Sequence, residues 1–421
     1  MTVGSSSIAR DFLAFSDTSP TPAHVVGSCG SLLKERGFAE VGESHGWPTA
    51  PGKYFLKRNG SLVAWIEPES APAHTGFRIL GAHTDSPHLR VKQHHDRFGG
   101  SVSVVALEPY GGPILSTWFD RDLGLAGKIV LNDLSEHLVT VAEPLVRVPN
   151  LAIHLDREQE RPNVQKHLNG LWGPAQNSLL DFVAEHMDIN VSQISGYELQ
   201  AFDTQPATFL GEDDYFISAS RLDNQATVWA ALQALVSAQG GHRMIVAFFD
   251  HEEVGSQSER GAGSPLLTTV LERIVLASGG TRDDFHRACA ASIMISGDMA
   301  HGTHPNFPEK HEPLHLIGLG AGPVLKVNTN LRYATDARGA AFFAQACAKA
   351  DVPMQRFVNR ADLPCGSTIG PISATQSGIT TVDVGAPQLA MHSIREIMAR
   401  TDLEMYAAAL TACLEIDGFV H

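Results

Sequence analysis

The sequence predicts an α/β fold: a mostly parallel central sheet flanked by helices, with an inserted β-rich domain. Three observations lead there. Four short apolar runs rich in β-branched or aromatic residues (77–82, 244–249, 292–295 and 380–384) read as buried strands, and each leads quickly to a Gly or an acidic residue. Helical patterns lie between these runs, and strands alternating with helices imply a parallel centre. From about Pro87 to Tyr215 the texture changes to alternating runs separated by Pro and Gly turns.

Taken in chain order, Ser5-Ser6-Ser7 is expected to be a loose end. Residues 1–86 open a discontinuous helix-and-sheet domain that resumes at 216–421, and 87–215 form the insertion. Within it, Ser101-Val102-Ser103-Val104 and Leu151-Ala152-Ile153-His154-Leu155 alternate as strands do, which puts His154 on the face opposite its apolar neighbours. Residues 174–187 read as the insertion's helix. Beyond it, Ala226, Trp229, Ala230, Leu232 and Leu235 recur at helical spacing until Gly240-Gly241. Thr401-Asp402-Leu403-Glu404 reads as a capping box opening a last helix.

Four clusters of metal-ligand-type residues sit just after expected strands. They are Gly81-Ala82-His83-Thr84-Asp85, Asp250-His251-Glu252-Glu253-Val254-Gly255, Gly297-Asp298-Met299-Ala300-His301 and Leu389-Ala390-Met391-His392. In such sheets ligands gather beyond the carboxyl ends of the strands, so the four together carry more weight than any one. Asp223 lies just ahead of a helical pattern, where an Asp is also a common N-cap. One His, an Asp, a Glu-Glu pair, another Asp and a final His make a nitrogen/oxygen set that suits two zinc-like ions better than one. Two ions ~3.5–4 Å apart need a bridging carboxylate, and a metal-bound water needs a base. Adjacent Glu252 and Glu253 suit a division of labour, one ligating while the other faces the water. His83 and Asp85 share a side of an extended chain, so Asp85 either ligates or orients His83. The pattern points to a metallohydrolase.

Composition narrows the class. With 31 basic and 46 acidic residues the net charge is −15, which argues against a nucleic-acid or anionic-membrane partner. An acidic substrate would then need a local cation. No apolar run approaches the ~20 residues of a membrane span. The first fifteen residues do not read as a signal peptide, and the five cysteines contain no Cys-x-x-Cys, so a cytoplasmic protein with reduced thiols is expected. Two tempting motifs are declined. In His251-Glu252-Glu253-Val254-Gly255 a Gly stands where a zinc helix of the His-Glu-x-x-His type needs its second His. Gly318-Leu319-Gly320-Ala321-Gly322-Pro323 lacks the spacing of a dinucleotide loop.

His83-Thr84-Asp85-Ser86-Pro87, Arg221-Leu222-Asp223-Asn224, Glu252-Glu253-Val254-Gly255-Ser256, Asp298-Met299-Ala300-His301, Cys365-Gly366-Ser367-Thr368-Ile369-Gly370-Pro371 and Pro387-Gln388-Leu389-Ala390-Met391-His392-Ser393 occur in this order. Over nearly the whole chain they resemble the aspartyl aminopeptidase family. The resemblance implies a dinuclear zinc exopeptidase fold whose inserted domain serves assembly, with dimers grouping into a dodecamer. It implies His83, Asp223, Glu253, Asp298 and His392 as metal ligands, with Asp223 bridging. Glu252 would then be the general base and Asp85 the group that orients His83. His301 would contact substrate or its oxyanion, Lys326 would read an acidic side chain, and His154 would enter a neighbouring subunit's active site. His251 stands where many relatives carry Asn.

The expected function is removal of N-terminal Asp or Glu from peptides with a free N-terminus, using two divalent ions, zinc first, with cobalt or manganese also suited to the ligands. The alternatives are a neutral-residue aminopeptidase, a carboxypeptidase or other amidohydrolase on the same metal chassis, and a non-catalytic assembly protein.

Overall fold

The computed structural model describes residues 5–158 and 161–417. Nine strands form the large sheet, in the order Ala39–Glu40, Gly52–Arg58, Ser61–Glu67, Arg243–Phe249, Phe77–His83, Ile293–Gly297, Thr380–Gly385, Val324–Val327 and Gln355–Val358. Its four middle strands, Arg243–Phe249 to Thr380–Gly385, are mutually parallel, as the sequence led us to expect. Three of the four are buried along their whole length, which is why they read as continuous rather than alternating apolar runs. Phe249 pairs with His83, and Gly297 with Val384, so the strands finish level along one edge.

Helices cover both faces. Ser5–Asp17, Pro22–Glu35, Leu222–Ser237, Ala337–Lys349 and Arg400–Glu415 pack on one side around Phe12, Trp229, Phe343 and Tyr406. Leu266–Ala277, Arg282–Ala290 and Ile369–Ser377 pack on the other around Phe249, Leu271 and Phe285. Burial of these faces is the main stabilising term, at about 25 cal/mol per Å² of apolar surface.

Residues 88–203 build an antiparallel six-stranded sheet in the order Glu136–Val146, Leu123–Leu131, Ile194–Asp203, His88–Gly99, Val102–Tyr110 and Asn169–Pro174. It has its own core around Leu125, Ile129 and Leu199. A five-stranded sheet links Thr208–Leu210 and Phe216–Ala219 to Glu396–Ala399, Pro387–Leu389 and Ala300–His301. No helix among the described residues is long and apolar enough to cross a membrane.

Four local expectations are corrected. The alternating segment at 151–155 is a turn in which Leu155 N–H donates to Ala152 O at 2.8 Å. Its apolar side chains are exposed (Leu151 61%, Ile153 50%, Leu155 75%), so His154 lies on a loop and not on a strand face. Ser5 to Ser7 form the first turn of a helix. The helix expected at 174–187 is confined to Leu179–His186, because Pro174 ends a strand and the chain then turns through Gln176, at φ 77°. The last helix begins at Arg400 with Ala399 as its N-cap, so Thr401 caps nothing. Asp402 turns instead to accept the Gly320 and Gly322 N–H groups at 2.6 and 2.9 Å.

Candidate metal centre

Strand ends and the short loops that follow them deliver the chemistry. His83 closes its strand, Asp298 follows Gly297, and Glu252 and Glu253 occupy a single 3-10 turn after Phe249. Left-handed backbone at Arg221 (φ 58°), His251 (φ 64°), Ala390 (φ 58°) and His392 (φ 68°) turns the connecting loops inward. Non-glycine residues adopt this conformation at a cost, and its clustering beside candidate ligands marks a site that tertiary contacts over-determine.

Asp223 occupies the centre. It is not the helix N-cap, since Arg221 holds that place and Asp223 itself has non-helical angles. Its Oδ1 lies 3.2 Å from His83 Nε2, and its Oδ2 lies 3.5 Å from His392 Nε2. His83 Nε2 is also 3.5 Å from Asp298 Oδ1, while His392 Nε2 is 3.4 Å from Glu253 Oε2. Two half-sites result, His83 with Asp298 and His392 with Glu253, sharing one carboxylate.

The donor chemistry fits a cation in each half-site. His83 Nδ1 donates to the Asp85 carbonyl (3.0 Å) and His392 Nδ1 to the Gly112 carbonyl (3.1 Å). In the neutral imidazole both Nε2 lone pairs therefore face carboxylate oxygens, a repulsive arrangement unless a proton or a metal ion lies between. Burial alone would lower the His83 pKa, but Asp223, Asp298 and Asp85 outweigh it and hold it well above the usual value. His392, whose burial is likewise outweighed by Asp223 and Glu253, is pushed up to about 10. Asp223 Oδ1 and Glu253 Oε1 are buried without a hydrogen-bond partner. His83, Asp223 and Glu253 each offer a ligand atom within 4.8 Å of one another.

Asp85 is excluded as a ligand. Its carboxylate is fully buried and occupied by the Glu252 and Glu253 N–H groups (3.1 Å each) and the Tyr110 hydroxyl (2.7 Å). It orients His83 mainly through its backbone carbonyl, with carboxylate Oδ1 at 3.5 Å from Nδ1. Glu252 belongs to neither half-site. Burial, followed by the charge balance of His83 against Asp298, Asp85 and Asp223, pushes its pKa up to about 8 in the metal-free protein.

The half-sites open into a cleft walled by Met299, Tyr333, Ile372 and Met391. The Gly366-Ser367-Thr368 loop closes one side, held by Thr368 Oγ1 donating to buried Asp383 at 2.6 Å. Lys326 lines the cleft although only 2% exposed. Its Nζ donates to the Met299 carbonyl (2.8 Å), lies 3.5 Å from Asp298 Oδ2 and sits over the Tyr333 ring. His301 opens onto the cleft beside Phe357, and loss of hydration among the cleft walls, followed by the Lys326 charge, lowers its pKa. His154 is not among the residues lining the cleft within one chain.

Residues 15–413 match the family described as Aminopeptidase I zinc metalloprotease (M18). The chain belongs to the M18 aminopeptidase family. Over 422 residues it is 50% identical to the probable M18 family aminopeptidase 2 of Mycobacterium leprae, covering 98% of this chain and 99% of that protein. The corresponding protein of Streptomyces coelicolor is 45% identical over 418 residues, covering 96% and 97%. A chain of the Ape4 and Nbr1 complex superposes with a TM-score of 0.94 at 35% identity, over 97% of this chain and 86% of that one. The S. cerevisiae mApe1 dodecamer gives 0.86 at 29% identity, over 96% and 95%. This M18 aminopeptidase is thus a peptide hydrolase of a zinc metalloprotease family.

Three residues of the M18 centre escaped sequence reasoning. Buried Glu396 accepts the Asp223 N–H at 2.9 Å and the His392 N–H at 2.7 Å, tying together the two loops that meet at the shared carboxylate. Its signal was a lone acid in the apolar strand Glu396–Ala399. Tyr110 and Gly112 reach the centre from the six-stranded sheet and carried no signal at all.

Proposed function

We propose that the protein removes N-terminal Asp or Glu from peptides at a two-metal centre held by His83, Asp298, Asp223, Glu253 and His392, with Asp223 bridging. The observation that carries the two-metal reading is the Asp223 carboxylate, which presents one oxygen to each histidine. Bound zinc would supply Lewis acidity to the scissile carbonyl and lower the pKa of water toward ~7. Glu252 takes the proton of the attacking water on its carboxylate and passes it to the leaving amine. Asp85 keeps the Glu252 and Glu253 backbone in place. His301, on the cleft wall, donates to the oxyanion.

Lys326 is the candidate reader of an acidic side chain, being a buried cation inside the cleft of a protein whose net charge is −15. A charge-assisted hydrogen bond there is worth ~1.5–3 kcal/mol, or roughly 10- to 150-fold in selectivity. One observation favours a neutral-residue preference as the second reading. Lys326 Nζ is already engaged by Met299 O and Asp298, beside a wall that includes Met391 and Ile372.

Assembly belongs to the proposal. The exposed Leu151, Ile153 and Leu155 around His154 are what a subunit contact would cover, and His154 would then complete a neighbour's site. We assign 87–215 as the assembly domain, a dodecamer as the oligomer and the cytoplasm as the compartment.

The test is hydrolysis of peptides beginning with Asp, Glu, Leu or Lys, with free and acetylated N-termini, before and after metal stripping and zinc replacement. Zinc-dependent cleavage of the free-amine Asp and Glu peptides supports the reading. Preference for Leu would move the protein to the neutral class, and cleavage of acetylated peptides would sink the aminopeptidase mechanism. Lys326→Ala should weaken cleavage of Asp peptides at least tenfold more than Leu peptides. Equal losses would remove the pocket assignment.

A further inference from the structure

The six-stranded sheet does more than flank the metal centre. Its strand Val102–Tyr110 ends against the site, and residues 110–117 pass across it. Tyr110 donates its hydroxyl to Asp85 Oδ2 at 2.7 Å. Gly111 has φ 67°, and a Cβ there would lie 3.1 Å from Glu253 Cβ. The Gly112 carbonyl accepts from His392 Nδ1 at 3.1 Å, and Ile114 N–H donates to the His392 carbonyl at 2.9 Å. Thr117 Oγ1 then accepts the Ile394 N–H at 3.0 Å. One short strap therefore touches groups contributed by positions 85, 253 and 392, three segments far apart in the chain.

We infer that Tyr110 is a positioning residue for the metal centre, acting through Asp85 on the turn that carries Glu252 and Glu253. The inference rests on the metal-centre reading above. Asp85 is fully buried, and its oxygens are shared among the two turn N–H groups and the Tyr110 hydroxyl. Without the hydroxyl, a buried anion loses one of its donors and shifts to recover contact with the others, carrying the turn with it. Glu253 then moves relative to His392, from which its Oε2 lies 3.4 Å. The Tyr110 ring is stacked on His88 with centroids 4.4 Å apart, so a phenylalanine would keep the ring in place and isolate the hydroxyl. The geometry also makes metal binding sensitive to how the six-stranded sheet sits on the large one.

The test is Tyr110→Phe in the full chain, with zinc affinity measured by chelator competition and the cobalt-substituted absorption spectrum recorded. Loss of an orienting partner behind a metal site typically weakens binding 10- to 100-fold. At least a tenfold weaker affinity and an altered cobalt spectrum are expected, in a metal-free protein that still unfolds cooperatively at a modestly lower Tm because buried Asp85 has lost one donor. Affinity within twofold of wild type with the same spectrum would overturn the inference. Gly111→Ala, which presses on Glu253 from the same strap, is the second variant and should also weaken zinc; unchanged binding would remove the strap's role. If wild type itself takes up no metal, the metal-centre reading falls first and this one with it.

Discussion

Glu252→Gln separates the base from the ligands. The substitution is isosteric and leaves the residue-252 backbone N–H on Asp85, so the turn geometry survives. It also leaves both half-sites whole, because His83 with Asp298 and His392 with Glu253 do not include it. Only the proton acceptor is removed. General-base catalysis is typically worth 10²–10⁴-fold, and each tenfold is about 1.4 kcal/mol of barrier, so a loss of roughly 3–5 kcal/mol is expected in kcat. In the metal-free chain burial and its neighbours push Glu252 up to about 8, so near pH 7 a mostly neutral acid is exchanged for a neutral amide and the Tm should hold. The assay is steady-state hydrolysis of an N-terminal Asp peptide, paired with metal content by elemental analysis. Metal near the wild-type level with kcat at least a hundredfold lower supports the assignment. A variant retaining more than a tenth of wild-type kcat, or one losing metal and rate in parallel, would refute it.

Other expectations follow from the same geometry. Asp223→Ala removes the carboxylate facing both histidines and should empty both half-sites together; loss of one metal equivalent alone would end its bridging role. In the metal-free protein, burial and then the Asp223 charge push Glu396 up to about 8, and His392 stands at about 10. Groups with raised folded-state pKa values lose their contribution as pH rises through those values, so the metal-free Tm should fall from pH 7 to 9. His24 and His88, lowered to about 4 and about 3 chiefly by burial, are neutral in the folded state and mostly so in the unfolded state across that window, and oppose it only slightly; a rising Tm would contradict the sign. Asp402→Ala leaves the Gly320 and Gly322 N–H groups without their acceptor, which should cost roughly 2–4 kcal/mol in chemical denaturation, whereas a loss under about 0.5 would show the contact to be incidental.

What could be read from the sequence follows from what a parallel sheet does to a chain. Parallel strands finish level on one edge, so candidate ligands at or shortly after their ends come together. Local spacing therefore singled out His83, Glu252, Glu253 and Asp298, while His392 lies in a connection of the five-stranded sheet, seven residues past Gly385. Asp223 and Asp402 show where that reasoning stops. Both are acids at a helix start, Asp223 inviting reading as an N-cap and Asp402 lying inside an apparent capping box, and neither caps its helix. Asp223 is turned into the metal centre by left-handed Arg221 and by its own N–H on Glu396, 173 residues away. Asp402 reaches a glycine loop about 80 residues earlier. The same distance hid Tyr110 and Gly112, whose partners are Asp85 and His392, and the tie from Glu396 to Asp223. Alternation misled at 151–155 because apolar side chains can alternate on a loop as well as on a strand, and only pairing decides. The candidate ligands His83 and Asp298 are legible because strand ends carry them to a shared edge. Residues that hold the ligands still are chosen by tertiary neighbours, and a local pattern has no term for them.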